Sequence, residues 1–363
     1  MKYLLTITRI ILSTIALLIA LPLIYFAVLQ CIYSDKADED KISYLKNNSI
    51  TIDKEDTVLC ESFDRLLGNQ KDFQVFIFGE VHGYSNTQST DHLLFKYLNR
   101  KYNVRHYFAE TYKEDAADLS LFLNTTPINT SYLEQVIQSI ENYIPQQKTQ
   151  NYFNKWVALH KYNQTLTVDK KILVHGILGS KKRDDNKNKS EVMYEEFLKI
   201  AKSNSVGEIE KGYCFLGMAH ALQDTICTSN KKVTPFASKV SNAGYNVTSM
   251  IHIPLESAAY FPANSQYPSP PNQIWEFGNA DGPINYYKGI KSLKQSSNAN
   301  AVMLFKLDAE NSPYNICADL VGYKSILKSI FGELLPVENK VTTDYFQYVL
   351  LTRGSKSATP YIK

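Results

Sequence analysis

The sequence has no Cys-x-x-Cys pair, and its five cysteines are scattered from Cys31 to Cys317. A zinc knuckle or a thioredoxin-type redox site is therefore not expected. No serine lies in a Gly-x-Ser-x-Gly elbow, which argues against a serine hydrolase. Gly176-Ile-Leu-Gly179 lacks the Lys-Ser/Thr of a phosphate loop. No long basic block is present and the formal net charge is only +3, so nucleic acid is not an expected partner. No internal repeat of fixed period is visible. What remains is an ordinary globular composition, 44% hydrophobic and 21% charged, over a length that allows one large domain or two small ones.

Only one stretch is long and apolar enough to cross a membrane. It runs from Ile10 to Tyr33, beyond the roughly 20 residues that a bilayer core requires. Its apolar part is longer than that of a cleaved signal peptide, and no Ala-x-Ala site precedes the charged Asp35–Asp40. An uncleaved anchor is the first expectation, and a cleaved or lipidated leader the second. Lys2 and Arg9 lie on the N-terminal side and the C-terminal flank is acidic, so the positive-inside rule puts the remainder of the chain outside the cytoplasm. In a bacterium this means a single-pass inner-membrane protein with a periplasmic domain, partnered by the lipid bilayer. In that oxidising compartment Cys60, Cys214, Cys227 and Cys317 have three possible pairings.

Residues 1–33 are thus expected as the anchor, 34–50 as a polar linker or first loop, and 51–363 as the folded domain. Within that domain strand-like runs alternate with helix-like stretches. The runs are Gln74–Glu80, Val104–Glu110, Lys171–Ile177, Tyr213–Met218, Val247–Pro254, Ala301–Leu307 and Phe346–Thr352. The helical stretches are Ser89–Tyr102, Glu114–Leu123, Tyr132–Tyr143, Ser190–Lys202, with Ser190 as N-cap, and Tyr323–Phe331. Such alternation predicts an α/β fold with a mainly parallel β-sheet flanked by helices, preceded by one transmembrane helix. Residues 180–190 read as a charged loop and 255–300 as an irregular excursion.

The chemistry concentrates where strands stop, the usual place for ligands in an open α/β sheet. The apolar run Val75–Phe78 ends in Gly79-Glu-Val-His-Gly83, which puts Glu80 and His82 on one side if the chain stays extended. Glu110 closes the second run, His175 stands near the end of the third, and His220 follows the fourth. Parallel strands bring these ends to one edge. His82 is suited to take a proton from water, with Glu80 or Glu110 orienting it and His220 donating to an oxyanion. The same His82, Glu110 and His220 are also candidates for a divalent metal. The bland alternative is that the histidines hydrogen-bond backbone and Glu110 pairs with a nearby Lys or Arg. For His92, His106, His160 and His252 a structural role is expected.

Gly79-Glu-Val-His-Gly83, the Glu110 strand, Gly217-Met-Ala-His220 and the closing segment Asp344–Pro360 resemble the erythromycin esterase/ChaN-like superfamily, which includes Tiki-type proteases. The resemblance covers roughly residues 70–360. The Glu-x-His spacing is nearer the ChaN-like form, and Leu178 stands where esterase-like members often carry Asp. The esterase branch implies a metal-free Glu/His hydrolytic site made by Glu80, His82, Glu110 and His220, acting on an ester or amide of a small molecule or peptide. The Tiki-type branch implies a metal-dependent peptidase. The ChaN-like branch implies haem or iron binding without turnover, with Tyr84 or a histidine as axial ligand. A site that has decayed is the remaining reading, and Leu178 is its best support.

Overall fold

A computed structural model describes residues 2–52, 56–182, 187–203, 210–228, 231–263, 269–276, 280–282, 285–326 and 332–362, with the side chains of 2, 4, 5 and 56–60 left aside. Eight strands form the main sheet: β1 (Ser49–Thr51), β2 (Val75–Glu80), β3 (His106–Ala109), β4 (Leu173–Gly176), β5 (Gly212–Gly217), β6 (Val247–Leu255), β7 (Val302–Lys306) and β8 (Tyr348–Arg353). The helices are α1 (Lys2–Tyr33), α2 (Glu39–Asn47), α3 (Asp56–Leu67), α4 (Ser85–Tyr102), α5 (Lys113–Asn124), α6 (Thr130–Ile140), α7 (Gln150–Gln164), α8 (Lys189–Ser203), α9 (Phe236–Asn242) and α10 (Ile290–Gln295).

The strand order is β1-β7-β8-β6-β2-β5-β3-β4. Every pairing from β8 to β4 is parallel, whereas β7 joins β8 and β1 in antiparallel fashion. The fold is therefore α/β with a large, mainly parallel sheet. The central strands are apolar without alternation because both faces are covered; all six residues of β2 and all nine of β6 are buried. Two cores result, one on each face. Ile77, Ile251 and Phe305 look into one; Phe76, Tyr107, Tyr213 and Leu350 look into the other.

The seven strand-like runs correspond to β2–β8. The segment 34–50 is not a loose linker. Asp38 caps α2 by accepting from the Asp40 and Lys41 amides at 3.0 and 3.2 Å, and Ile42 and Leu45 on one face are buried. Ser49–Thr51 then pairs with β7. The expected helix Tyr323–Phe331 is also absent where described. The Tyr323 backbone exchanges both hydrogen bonds with Leu334, and Lys324–Ser325 pairs with Asn285–Tyr286; residues 327–331 lie outside the described residues. In the excursion 255–300, α10 and short strands supply regular structure. Cys31, Cys214, Cys227 and Cys317 are free thiols, and the Cys60 side chain is outside those described.

Helix α1 contains Thr6–Tyr33, apolar and long enough to span a membrane, and none of these residues is fully buried. Its foot is tied to the domain. Ser34 Oγ accepts from Lys291 Nζ at 2.6 Å, Asp35 Oδ2 accepts from the Gly289 amide at 2.5 Å, and the Tyr33 ring meets that of Tyr286.

Candidate active site

Strand β5 lies between β2 and β3, and Gly217 at its end is in register with Glu80 at the end of β2. The carboxyl ends of three parallel strands thereby bring Glu80, His82, Glu110 and His220 to one sheet edge. The local sequence permits the crowding. Gly83 adopts φ +93°, and a side chain there would strike the Tyr260 backbone. At Gly217 an added Cβ would stand 3.3 Å from both Glu110 Oε2 and His82 Nε2. The absent side chain is what leaves room between the acid and the imidazole.

His82 Nδ1 is 2.9 Å from Glu80 Oε1. Glu80 is 1% exposed and is clamped by two side-chain amides: Gln88 Nε2 donates to Oε2 at 3.1 Å, and Gln147 Nε2 donates to Oε1. Gln147 arrives on the short 3₁₀ turn Pro145–Gln147 between α6 and α7. Burial pushes the Glu80 carboxyl up, but the charge and hydrogen bond of His82, with Lys155 and Gln147 behind them, bring it below the ordinary range. Burial pulls His82 down; the charge and hydrogen bond of Glu80, then Glu110, outweigh that and the opposing Lys189, so its pKa is raised.

Glu110 forms the second centre. Its Oε2 accepts from the Gly217 amide at 2.6 Å, and its Oε1 accepts from Lys189 Nζ at 2.8 Å. His220 Nε2 stands 3.8 Å from the same Oε1, and His220 Nδ1 is 2.9 Å from Ser190 Oγ. Burial raises Glu110, yet Lys189, His220 and His82 together hold it down at about 2. His220 is lowered by burial, with Glu110 opposing and Lys189 and His82 reinforcing, so it stays a neutral imidazole near pH 7. Both partners come from the start of α8. The Ser190 amide donates to Asn188 Oδ1 at 2.9 Å, so Asn188 has the capping role expected of Ser190, whose hydroxyl goes to His220 instead.

Beneath the edge, Lys155 of α7 pairs with Asp91 of α4 at 2.9 Å, both almost fully buried. The hydroxyls of Tyr107 and Tyr213 donate to the same carboxylate at 2.6 Å each. The rings of Phe215 and Tyr152 lie 4.4 and 4.8 Å from Lys155 Nζ. A cavity of about 10 Å³, room for one water, lies between Glu110, Gln147, Lys155 and Trp156.

His106, His160, His175 and His252 take structural partners. His175 Nε2 meets His106 Nδ1 at 2.9 Å on the adjoining strands β4 and β3. His252 accepts from the Val81 amide at 3.3 Å and meets Thr352 Oγ1 at 2.8 Å, so it supports the turn that carries His82. His160 holds the Thr125 carbonyl at 2.9 Å. Leu178 is packed in the core.

Sequence reasoning missed Gln88, Gln147, Lys189, Asp91 and Lys155. Lys189 was hidden because the sequence put it in the charged loop ahead of a Ser190 cap, whereas α8 begins at Lys189 itself.

The donors do not fit a divalent cation as they stand. Lys189 occupies one Glu110 oxygen and Gly217 the other. Among the described residues no group of three His, Cys, Asp or Glu side chains is arranged to hold a metal ion. Tyr84 is poorly placed to ligate a haem iron. Tyr84 is 3% exposed with its ring edge-on to His252, and burial raises its phenol, which disfavours the ligating phenolate.

No family model and no curated protein matches the chain. Solved structures do share its fold. A succinoglycan biosynthesis protein is 10% identical over 89% of this chain and 98% of its own, with a TM-score of 0.59. A Bacillus cereus protein is 9% identical over 89% and 99%, with a TM-score of 0.52. A mutant of the erythromycin esterase EreC in its open conformation is 10% identical over 85% and 98%, with a TM-score of 0.51. At such identities the likeness is one of fold alone, an architecture shared with the erythromycin esterase.

Proposed function

We propose that this chain is a membrane-tethered hydrolase of esters or amides, with small molecules or peptides as substrates, that works through a Glu80–His82 pair. The observation that carries the reading is the 2.9 Å contact between His82 Nδ1 and a buried, doubly clamped Glu80, which leaves His82 Nε2 facing Gly217 and Glu110. Nε2 takes a proton from water as the water oxygen attacks the carbonyl carbon. The electron pair moves to the carbonyl oxygen, and His220 donates to that oxyanion. Collapse breaks the bond to the leaving group, which regains the proton from His82. Glu80 holds the ring in one tautomer and stabilises its cation, the role of an orienting acid in a triad. The esterase-like fold of EreC is consistent with this chemistry.

The test is turnover of a panel of carboxylic esters and amides by the full chain in detergent. His82→Ala and Glu80→Gln should each lose about 10²–10⁴-fold while keeping the wild-type circular dichroism. A wild type that hydrolyses none of the panel, or variants with undiminished turnover, contradicts the proposal.

We further propose that α1 holds the domain on the outer side of the inner membrane, in the periplasm. The length of α1 and the Lys2 and Arg9 charges support this orientation. An alkaline phosphatase fused to the C-terminus should be active, and an inactive cytoplasmic fusion rules it out.

A further inference from the structure

The chain leaves α1 without slack. Just beyond the helix, the Asp38 amide donates to Ser292 Oγ at 2.9 Å, and Lys41 Nζ donates to Asp319 Oδ2 at 2.5 Å. With the Ser34–Lys291 and Asp35–Gly289 hydrogen bonds, these fix residues 34–41 on one surface of the domain. Helix α1 meets that surface at its last residue. The Tyr33 and Tyr286 ring centroids are 6.5 Å apart, and Lys324 Nζ lies 5.5 Å from the Tyr33 ring. A flexible tether makes no such set of contacts.

The length of α1 decides where this junction lies. Residues 10–33 of the helix run for about 36 Å at ~1.5 Å per residue, against a hydrocarbon core of about 30 Å. With Arg9 at the inner boundary, a membrane-spanning α1 brings its last turn out among the headgroups, the layer in which tyrosine rings settle. Whatever touches Tyr33, Ser34 and Asp35 lies in that layer too, and this means Tyr286, Gly289, Lys291 and Lys324.

The headgroup layer is rich in phosphate, and this face carries cations to meet it. Lys36, Lys288 and Lys324 are exposed, and Lys291 is half-buried. Among the described residues no carboxylate pairs with Lys36, Lys291 or Lys324; Lys291 goes to the Ser34 hydroxyl and Lys324 to the Tyr33 ring. The nearby carboxylates are occupied. Asp35 accepts from the Gly289 amide, Asp319 takes Lys41 with Lys288 at 3.4 Å, and Asp281 takes Lys294 at 2.6 Å. Glu39 and Asp40 stand in the first turn of α2, where the helix dipole favours them.

The same segment reaches the catalytic edge. Tyr287, next to Tyr286, donates its hydroxyl to Met218 Sδ at 3.7 Å, and Met218 opens the 3₁₀ turn that carries His220. One peptide bond separates the residue that meets the anchor from the residue that meets the turn of the site.

We propose that residues 286–291 and Lys324 form a membrane-contact face that binds the phosphates of phospholipid headgroups and holds the catalytic edge beside the bilayer. The inference rests on α1 spanning a membrane, and its test needs no turnover.

The full chain is placed in nanodiscs of phosphatidylethanolamine and phosphatidylglycerol, and amide hydrogen exchange is followed by mass spectrometry against the chain in nonionic detergent. Peptides over 286–294 and 322–326 should exchange about tenfold more slowly in the nanodisc, while 71–75 and 244–248 at the opposite edge of the sheet should not change. Lys288→Gln, Lys291→Gln and Lys324→Gln together should remove the slowing. High salt should remove it from the unaltered chain, which covers a triple variant that folds badly. Equal exchange in nanodisc and detergent, in a chain that resists alkaline extraction from vesicles of the same lipids, overturns this inference alone. Slowing that survives both the neutral variant and salt overturns it as well, because headgroup charge then plays no part. A chain that alkaline extraction removes from the vesicles overturns the tether reading and this inference with it.

Discussion

Two histidine pairs at neighbouring places on one sheet behave in opposite ways. At the end of β2, His82 meets a carboxylate, and its pKa is raised. Two strands away, His106 and His175 meet each other at the same 2.9 Å, and burial, with Arg105 beside His106 and His106 beside His175, depresses both to about 4. The residue type and the distance are alike, and the partner differs. A carboxylate makes a buried imidazole a stronger base that carries a proton readily, while burial without a carboxylate leaves the imidazole neutral. Only the first pair borders a second acid centre, at Glu110 and His220. The lesson is that a histidine at a strand end says little until its partner is known.

The comparison is broken most severely by removing the carboxylate. Glu80→Gln should reduce ester turnover about 10²–10⁴-fold, measured as kcat/KM, whereas His106→Phe should leave it within twofold. A second route goes through the buried layer beneath the site. Asp91→Asn leaves Lys155 without its counter-charge among aromatic rings and should destabilise the fold by about 3–5 kcal/mol, read from chemical denaturation. Replacing both together, Asp91→Leu with Lys155→Met, should recover much of that loss.

Smaller effects sharpen the contrast through pH. Because the base form of His82 is the active one and its pKa is raised, the acid limb of kcat/KM should lie above pH 6.5 and move down in Glu110→Gln. The stability contributions have opposite signs. His82, raised when folded, contributes below its unfolded value and loses that contribution as pH rises through the folded one. His106 and His175 are depressed, so the unfolded chain binds more protons between about pH 6.5 and 4. They weaken the fold as pH falls through that window, and His106→Phe with His175→Phe should flatten the decline seen by thermal unfolding.

The sheet was legible because its central strands are buried on both faces and show up as unbroken apolar runs. Strand β1 is only three residues long, and α7 carries Lys155, His160 and Asn163 on positions that fold inward, so neither displays a clean period. Helix α2 was hidden by its polar composition, although Asp38 followed by Ile42 and Leu45 marks a cap and an apolar face. At the site, residues carried by strand ends could be read because parallel topology places them automatically. Gln88, Gln147 and Lys189 come from helices and a turn, and their arrival depends on packing that no local pattern encodes.

The central claim is that Glu80 makes His82 a strong, readily protonated base. Its most direct test is the titration of the His82 ring by NMR in the full chain with labelled histidine, assigned through His82→Ala. A midpoint above 6.5 that falls in Glu80→Gln is the predicted result. A midpoint at or below 6.5, or one that Glu80→Gln leaves in place, would contradict the account.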